Sequence, residues 1–479
     1  MSTAKKLLGQ TAIYGLSSIL GRFSYFLLTP LHTKYLTEEL YGANAYIYAS
    51  IAILTVVLTF GLETAFFRHA SKSSADPVRL FAAAHGFIVT STILFIALIL
   101  VFHETILSLI GYAEQPQYLY MALGILSGEL LVAVPFARLR LQMRPMRFAI
   151  IRLSGIAINI LVNLYFFMLA PFLFSKGINT IGFDGTHNVE MIFISNLCSS
   201  LWLVLAFIPV HVKIRIDVDA VKPLLIYGFP LMLAGLAGVT NELIDRIIIR
   251  HILTDFDNGV YAAVIKLAMF MTLAIQAYRY AIEPYIFSTS ERKNAPAHYA
   301  RIFDFLVVFL VISMTGIVAG LDIIKGFIDQ KYHHQLSLLP ILLVSQLLLG
   351  LIMHVSLWYK LSDKTRYGMY LSFIAAAITI LLNVALLPLI GILGAAWANL
   401  LSHIVVLTIS IYWGQKRYFV PYRFFPNALV VVLAVFVTFA FYYWNVHMAW
   451  KLLIWSILSA MLAYRERETL KGILPHAKR

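Results

Sequence analysis

Cysteine is almost missing: Cys198 is the single one in 479 residues, and it lies inside an apolar run. A disulfide framework and a cysteine metal site are therefore both excluded. Charge is scarce too. Asp, Glu, Lys and Arg make up 13% of the chain, against about 25% in soluble globular proteins. Long polar loops are also lacking. The longest outer connection, about 172–189, is too short for a catalytic domain, and no soluble domain is expected at either end. What fills the chain instead is apolar, at 61% of all positions. Apolar runs of about 18 residues or more recur throughout, each long enough to cross a hydrocarbon core of about 30 Å. Packing in water cannot hide that much apolar surface, so the solvent must be a bilayer.

Hydropathy predicts an all-α polytopic membrane protein with about fourteen transmembrane helices. They fall near 8–30, 40–66, 80–102, 117–136, 148–171, 190–210, 223–243 and 258–277, then 302–320, 336–356, 368–388, 391–413, 426–443 and 449–463. The last is short. Lys5 and Lys6 precede the first run without a small-residue cleavage site, which reads as a retained span rather than a signal peptide.

A net charge of +14 could point to nucleic acid. Position argues otherwise. One set of alternate loops, including Arg138, Arg140, Arg144 and Arg147, holds about 27 of the 37 basic residues. The other set holds only Lys34, Lys176, Arg246, Arg250, Lys325, Lys331 and Lys451. The positive-inside rule then places both termini in the cytoplasm, with the basic residues anchoring cytoplasmic helix ends and no nucleic-acid partner implied.

Two segments look alike. Ile13-Tyr14-Gly15 opens a span ending at Lys34-Tyr35-Leu36-Thr37-Glu38-Glu39. Ile226-Tyr227-Gly228 opens another, ending at Arg250-His251-Ile252-Leu253-Thr254-Asp255. Both copies start on the cytoplasmic side, so they read as parallel repeats offset by about 210 residues, or six spans. Chance similarity between apolar hairpins is the alternative. Duplication predicts a six-helix lobe over 1–220, a second over 221–420, and two additional helices with a cytoplasmic tail over 421–479. Transporters built from paired lobes bind substrate near mid-membrane between them.

An ionisable group at bilayer depth costs about 2.5–3.5 kcal/mol, so it normally faces a cavity or a partner. In the first span Thr11, Gly15, Ser18, Arg22, Tyr25 and Thr29 share one helical face; in the second, Asn44, Tyr48, Thr55, Thr59 and Glu63 do. The fifth carries Arg152, Asn159 and Asn163, and the tenth Gln346, Gly350 and His354. Asn399 aligns with His403 in the twelfth. Arg22 lies roughly 22 Å above the cytoplasmic start of its span, and Lys266 at roughly 18 Å. Two deep cations from opposite lobes suit a diphosphate, which needs converging positive groups. The competing readings are structural. Arg152, Glu63 and His354 can snorkel to a cytoplasmic end. Arg22 and Lys266 can pair with acids such as Glu129, and the Asn, Ser and Thr stripes can glue helices together. Glu242 and Arg246 read as a local ion pair. Asp255-Phe256-Asp257 has the form of a metal-binding DxD, but its short outer loop favours helix capping.

These features resemble the bacterial polysaccharide flippases of the Wzx type, within the superfamily that includes multidrug and toxin extrusion (MATE) transporters and lipid II flippases. The resemblance is carried by Lys5-Lys6-Leu7-Leu8-Gly9-Gln10-Thr11-Ala12 leading to Gly21-Arg22, and by Tyr35-Leu36-Thr37-Glu38-Glu39-Leu40-Tyr41-Gly42. Gly61-Leu62-Glu63-Thr64-Ala65-Phe66-Phe67-Arg68, Ile244-Asp245-Arg246 and Gly259-Val260-Tyr261 through Lys266-Leu267-Ala268 extend it into the second lobe. It implies translocation of a polyprenyl-diphosphate-linked oligosaccharide across the bacterial cytoplasmic (inner) membrane by alternating access. Arg22 and Lys266 would be cavity cations, supported by Arg152, Asn159 and Asn163; Glu63, Arg68, Glu129 and His354 would serve gating or coupling. No covalent chemistry, cofactor or metal is implied. The expected partners are the lipid-linked oligosaccharide, membrane lipid, and polysaccharide polymerases and glycosyltransferases; a monomer is expected. The rival readings are an ion-coupled multidrug exporter, a lipid II flippase and, from another class, a membrane polysaccharide polymerase.

Overall fold

The computed structural model of the chain describes residues 20–21, 23–72, 76–211, 217–289, 294–444 and 446–467. Among these the regular structure is helical throughout, without a strand. Eleven helices among the described residues are long and apolar enough to cross a membrane. The predicted first span falls mostly outside the described residues. The sixth is the shorter Glu190–Ala206, of 17 residues, and the last is Met448–Arg465, of 18. The chain is an all-α polytopic membrane protein.

Local chemistry sets the helix starts. Thr37 accepts a hydrogen bond from the Leu40 amide at 3.3 Å to open α1, Glu38–Thr59. Asp76 accepts from the Val78 and Arg79 amides, with Pro77 in the first turn, to open α2, Pro77–Val101. Pro116 and Pro145 open α3, Pro116–Leu141, and α4, Pro145–Leu164. Phe60 and Gly61 both adopt left-handed backbone, with φ of 50° and 66°, and break α1 from the short helix Leu62–Ala70.

The chain separates into two compact units, Met1–Ile247 and Ile248–Arg479. The repeat offset predicts a boundary at residue 220, ahead of the seventh span. Compactness, as distinct from sequence repetition, groups most of α6 (Val218–Ile252) with the first unit; the sixth-span helix Glu190–Ala206 is α5. Packing explains the grouping. Ala220, Val221 and Leu224 are buried in one cluster with Leu62, Phe66 and Phe81. Gly228 meets Gly61 so closely that a Cβ on either would stand 2.4 Å from a carbonyl oxygen of the opposing chain segment.

Small residues let the helices of the first unit approach. A Cβ on Gly128 of α3 would lie 2.5 Å from the Ser200 Cβ of α5, and Ser199 Oγ donates to the Gly155 carbonyl of α4 at 2.8 Å. In the second unit the main helices are α7 (Asp255–Ser288), α8 (Ala295–Ala319), α9 (Leu338–Val355), α10 (Arg366–Ile390) and α11 (Ile392–Arg417). The two final helices, α12 (Phe424–Tyr443) and α13 (Met448–Arg465), belong to the same unit. Trp455 Nε1 donates to the Ile312 carbonyl at 2.9 Å, and Gly316 leaves room for its indole.

Candidate functional site

Side chains from five helical segments of the first unit meet around Glu129. That carboxylate sits about twelve residues from the basic end of α3, or roughly 18 Å along the helix. Thr55 of α1 donates to Glu129 Oε2 at 3.0 Å. The positive charge of Arg152, on α4, acts on Glu129 and on the Tyr25 hydroxyl. Tyr48, seven residues before Thr55 on α1, feels both Tyr25 and Glu129 and accepts a hydrogen bond from Asn196 of α5.

Exposure separates this cluster from ordinary interhelical polar contacts. Tyr25 is 45% exposed, and Glu129 and Arg152 are exposed as well, although protein atoms surround Glu129 on most sides. Glu129 thus combines close protein neighbours with an exposed carboxylate. The Arg152 guanidinium lies over the Phe136 ring, 5.6 Å from its centroid, and Phe136 is itself wedged between Phe148 and Phe207. The aromatic support holds the cation in place while its face stays open. Chemically, the arrangement offers one cation, one carboxylate and hydroxyl groups that can donate or accept: a surface able to replace the water around a charged, hydroxyl-rich headgroup.

The remaining candidates occupy other settings. Asn159 and Asn163 are buried, with Asn163 Nδ2 donating to the Asn159 carbonyl at 2.8 Å while its Oδ1 pairs with His32 Nε2 at 2.7 Å. Their contacts are those of helix glue, not of a cavity wall. Thr29, on the stripe of Tyr25, is also buried and bonds Tyr41. Glu63 pairs with Arg140, and Arg68 donates to the Tyr227 hydroxyl at 2.7 Å with its guanidinium 4.7 Å from that ring. The repeat motif at Tyr227-Gly228 thus docks α6 onto the helix Leu62–Ala70. Lys266 is half-buried on α7 in the second unit. Arg22 lies outside the described residues. His354 is buried, with Nδ1 bonded to the Tyr278 hydroxyl at 2.6 Å and Nε2 bonded to the Tyr299 carbonyl at 3.2 Å.

Two local expectations gain detail. Arg246 pairs with the Asp245 carboxylate at 3.1 Å and reaches Glu242 through that residue's backbone carbonyl at 2.7 Å, so the acid of the ion pair is Asp245 and not Glu242. In the DxD-like turn, Thr254 Oγ1 donates to Asp257 Oδ2 at 2.6 Å and accepts from the Asp257 amide, a cap at the start of α7. Among the described residues no group of His, Cys, Asp and Glu is arranged to hold a metal. Sequence reasoning missed Asn196, and it missed Asn427, which donates to the buried Asp304 at 2.6 Å. The available signal was a lone amide or acid within an otherwise apolar span.

A many-spanned helical protein with an exposed polar cluster within its spans is the class this fold and site define. The chain belongs to the polysaccharide biosynthesis protein family, whose model matches residues 33–292. A protein of the Lsg locus of Haemophilus influenzae is 29% identical over 121 residues, a match spanning 24% of this chain and 30% of that protein. In fold the chain is similar to a lipid II flippase, MurJ, in an inward closed conformation, at TM-score 0.69 and 15% identity over 98% of this chain and 100% of that one. It is also similar to an inward-facing MATE family multidrug resistance transporter of the MOP superfamily, at TM-score 0.58 and 15% identity over 82% of this chain and 94% of that one. Family and fold agree with the resemblance carried by the sequence motifs.

Proposed function

We propose that the protein is a flippase that carries a polyprenyl-diphosphate-linked oligosaccharide across the bacterial cytoplasmic membrane for surface polysaccharide synthesis. The observation that carries this reading is the exposed polar wall formed by Glu129, Thr55, Tyr25 and Arg152 at bilayer depth. The energetic problem is to bring a charged, hydrated headgroup through hydrocarbon; side-chain contacts replace its water while the prenyl tail stays in lipid. Arg152 supplies positive charge to the diphosphate, and the sequence offers Arg22 and Lys266 as further candidate cations. Glu129, held by Thr55, tunes the field at Arg152 before the anion enters. Glu63 with Arg140, and Arg68 with Tyr227, act at the basic end, which faces the cytoplasm along with both termini. Polymerases and glycosyltransferases would act on the same lipid-linked glycan before and after its transfer.

Deleting the gene and following the leaflet of its lipid-linked intermediates tests the reading. Accumulation of a completed intermediate in the inner leaflet, relieved by the wild-type chain, is the expected result; normal delivery of surface glycan would reject it. The Glu129 carboxylate favours a second reading, an ion-coupled exporter of cationic compounds. Resistance to cationic drugs that falls in the deletion strain, with surface polysaccharide intact, would select that alternative.

A further inference from the structure

Asn44 shares its face of α1 with Tyr48 and Thr55, yet its Oδ1 is buried without a hydrogen-bond partner. A buried amide oxygen left unpaired is costly, and native structures seldom keep one without a reason. One turn further along α1, the Tyr48 hydroxyl accepts a hydrogen bond from Asn196 Nδ2 of α5. Among the described residues the Tyr48 O–H then has no acceptor of its own, and Asn196 Oδ1 has no donor. All three side chains are half-buried. Asn44 and Asn196 each stand six residues, or roughly 9 Å, from the start of their helices. Arg152 stands seven residues, or roughly 10 Å, from the start of α4, which is the basic end. The uncharged groups therefore lie toward the end of the spans opposite to Arg152, with Glu129 at mid-helix between them.

We propose that Asn44, Tyr48 and Asn196 form a subsite for an uncharged sugar of the glycan, and that this subsite discriminates against sugars bearing a carboxylate. Two open acceptors and one open donor match hydroxyl groups, each of which both donates and accepts. The same pattern is wrong for a phosphate or a carboxylate. Those groups only accept, and would set lone pairs against the lone pairs of both amide oxygens. Glu129, whose charge Tyr48 feels, adds repulsion of like sign. Selection here thus works by rejection as much as by attraction. A diphosphate held at Arg152 leaves its attached sugars to run along α1 toward these groups. The inference rests on the flippase reading, and it assigns a part of the substrate which that reading leaves open.

Binding of three lipids to the purified full-length chain tests the subsite. They are a polyprenyl diphosphate without sugar, the same lipid bearing one glucose, and the same lipid bearing one glucuronic acid. The two sugars differ only in the carboxylate at C6. Glucose should raise the affinity over the sugarless lipid by about tenfold, and glucuronic acid should forfeit that gain. N44L/N196L should bring the glucose lipid down to the level of the sugarless one. E129Q should lift the glucuronic acid lipid toward the glucose lipid. The comparison of the two sugars is made on the unaltered chain, so it decides the question even where the double variant fails to fold. Equal affinity for the two sugar lipids overturns the proposal, and so does a glucose gain that survives in N44L/N196L. Either result, with the polyprenyl diphosphate still bound, leaves the flippase reading standing. Binding of none of the three lipids overturns both.

Discussion

The first unit leaves the polar groups around Glu129 exposed, whereas the second tucks most of its own away. Around Glu129, Tyr25 and Arg152 are exposed. In the second unit the same residue types are spent on each other. His403 Nδ1 lies 2.8 Å from Ser345 Oγ, Asn399 donates to the Tyr261 hydroxyl at 3.0 Å, and Asp304 accepts from Asn427. Polar composition at bilayer depth therefore does not identify a transport surface. What distinguishes the two is whether a group's hydrogen-bonding capacity is consumed inside the helix bundle or held open to a visitor.

The sharpest way to break this contrast uses the lone cysteine. In a Cys198→Ser background, Glu129→Cys should react with a water-soluble maleimide, while Asn383→Cys, at a site buried on α10, should not. The difference should be close to all-or-none. Equal labelling of the two positions would remove the distinction between wall and glue.

Function supplies the next largest effect. Arg152→Ala should lower flipping by roughly an order of magnitude, about 1.4 kcal/mol, because it removes the cation whose field acts on Glu129 and Tyr25. Membrane levels should stay normal, since Arg152 leans on Phe136 from an exposed position. Measuring surface glycan against protein abundance checks this; wild-type export would detach the wall from transport. Arg22→Ala and Lys266→Ala are expected to behave similarly, on sequence grounds for Arg22.

In the second unit the expected damage is to stability instead. Asn427→Leu deprives the buried Asp304 carboxylate of its 2.6 Å donor, leaving Arg423 at 3.9 Å. A hydrogen bond to a charged group contributes about 1.5–3 kcal/mol, so the detergent-solubilised midpoint should fall by several degrees. Flipping by the surviving folded fraction should continue. An unchanged midpoint would show that Asp304 is hydrated and belongs with the open groups.

Much of this architecture is legible in the amino-acid sequence. Apolar run length and the alternation of basic loops point to the helical membrane fold, and helical spacing puts Tyr25, Thr55 and Arg152 among the candidate faces. What periodicity cannot supply is the neighbour. Arg152, Asn159 and Asn163 share a face of α4 by spacing, yet Arg152 is open while both amides are buried, Asn163 against His32. A face that runs the length of a tilted helix passes from cavity to contact, and one-dimensional spacing carries no record of where that happens. The grouping of α6 with the first unit has a related reason. Hydropathy marks where α6 begins, but the packing of Ala220, Val221 and Leu224 decides to which unit that beginning belongs.

The smallest effect probes the seam that supports the open wall. Ser199 Oγ donates to the Gly155 carbonyl at 2.8 Å, across the contact between α5 and α4, three residues beyond Asn196 and three beyond Arg152 respectively. Interhelical hydrogen bonds of this kind average about 0.6 kcal/mol in membranes, because the separated helices find other partners for the same groups. Ser199→Ala should therefore lower the unfolding midpoint only slightly and leave export intact. Gly155→Leu, by contrast, pushes a side chain into Leu203 and Ser199, since even a Cβ there would stand 2.9 Å from Leu203 Cδ2. It should force the helices apart and lose about 1–3 kcal/mol. If the two substitutions cost the same, close packing is not what holds α4 against α5, and the position of Arg152 must depend on its aromatic support alone.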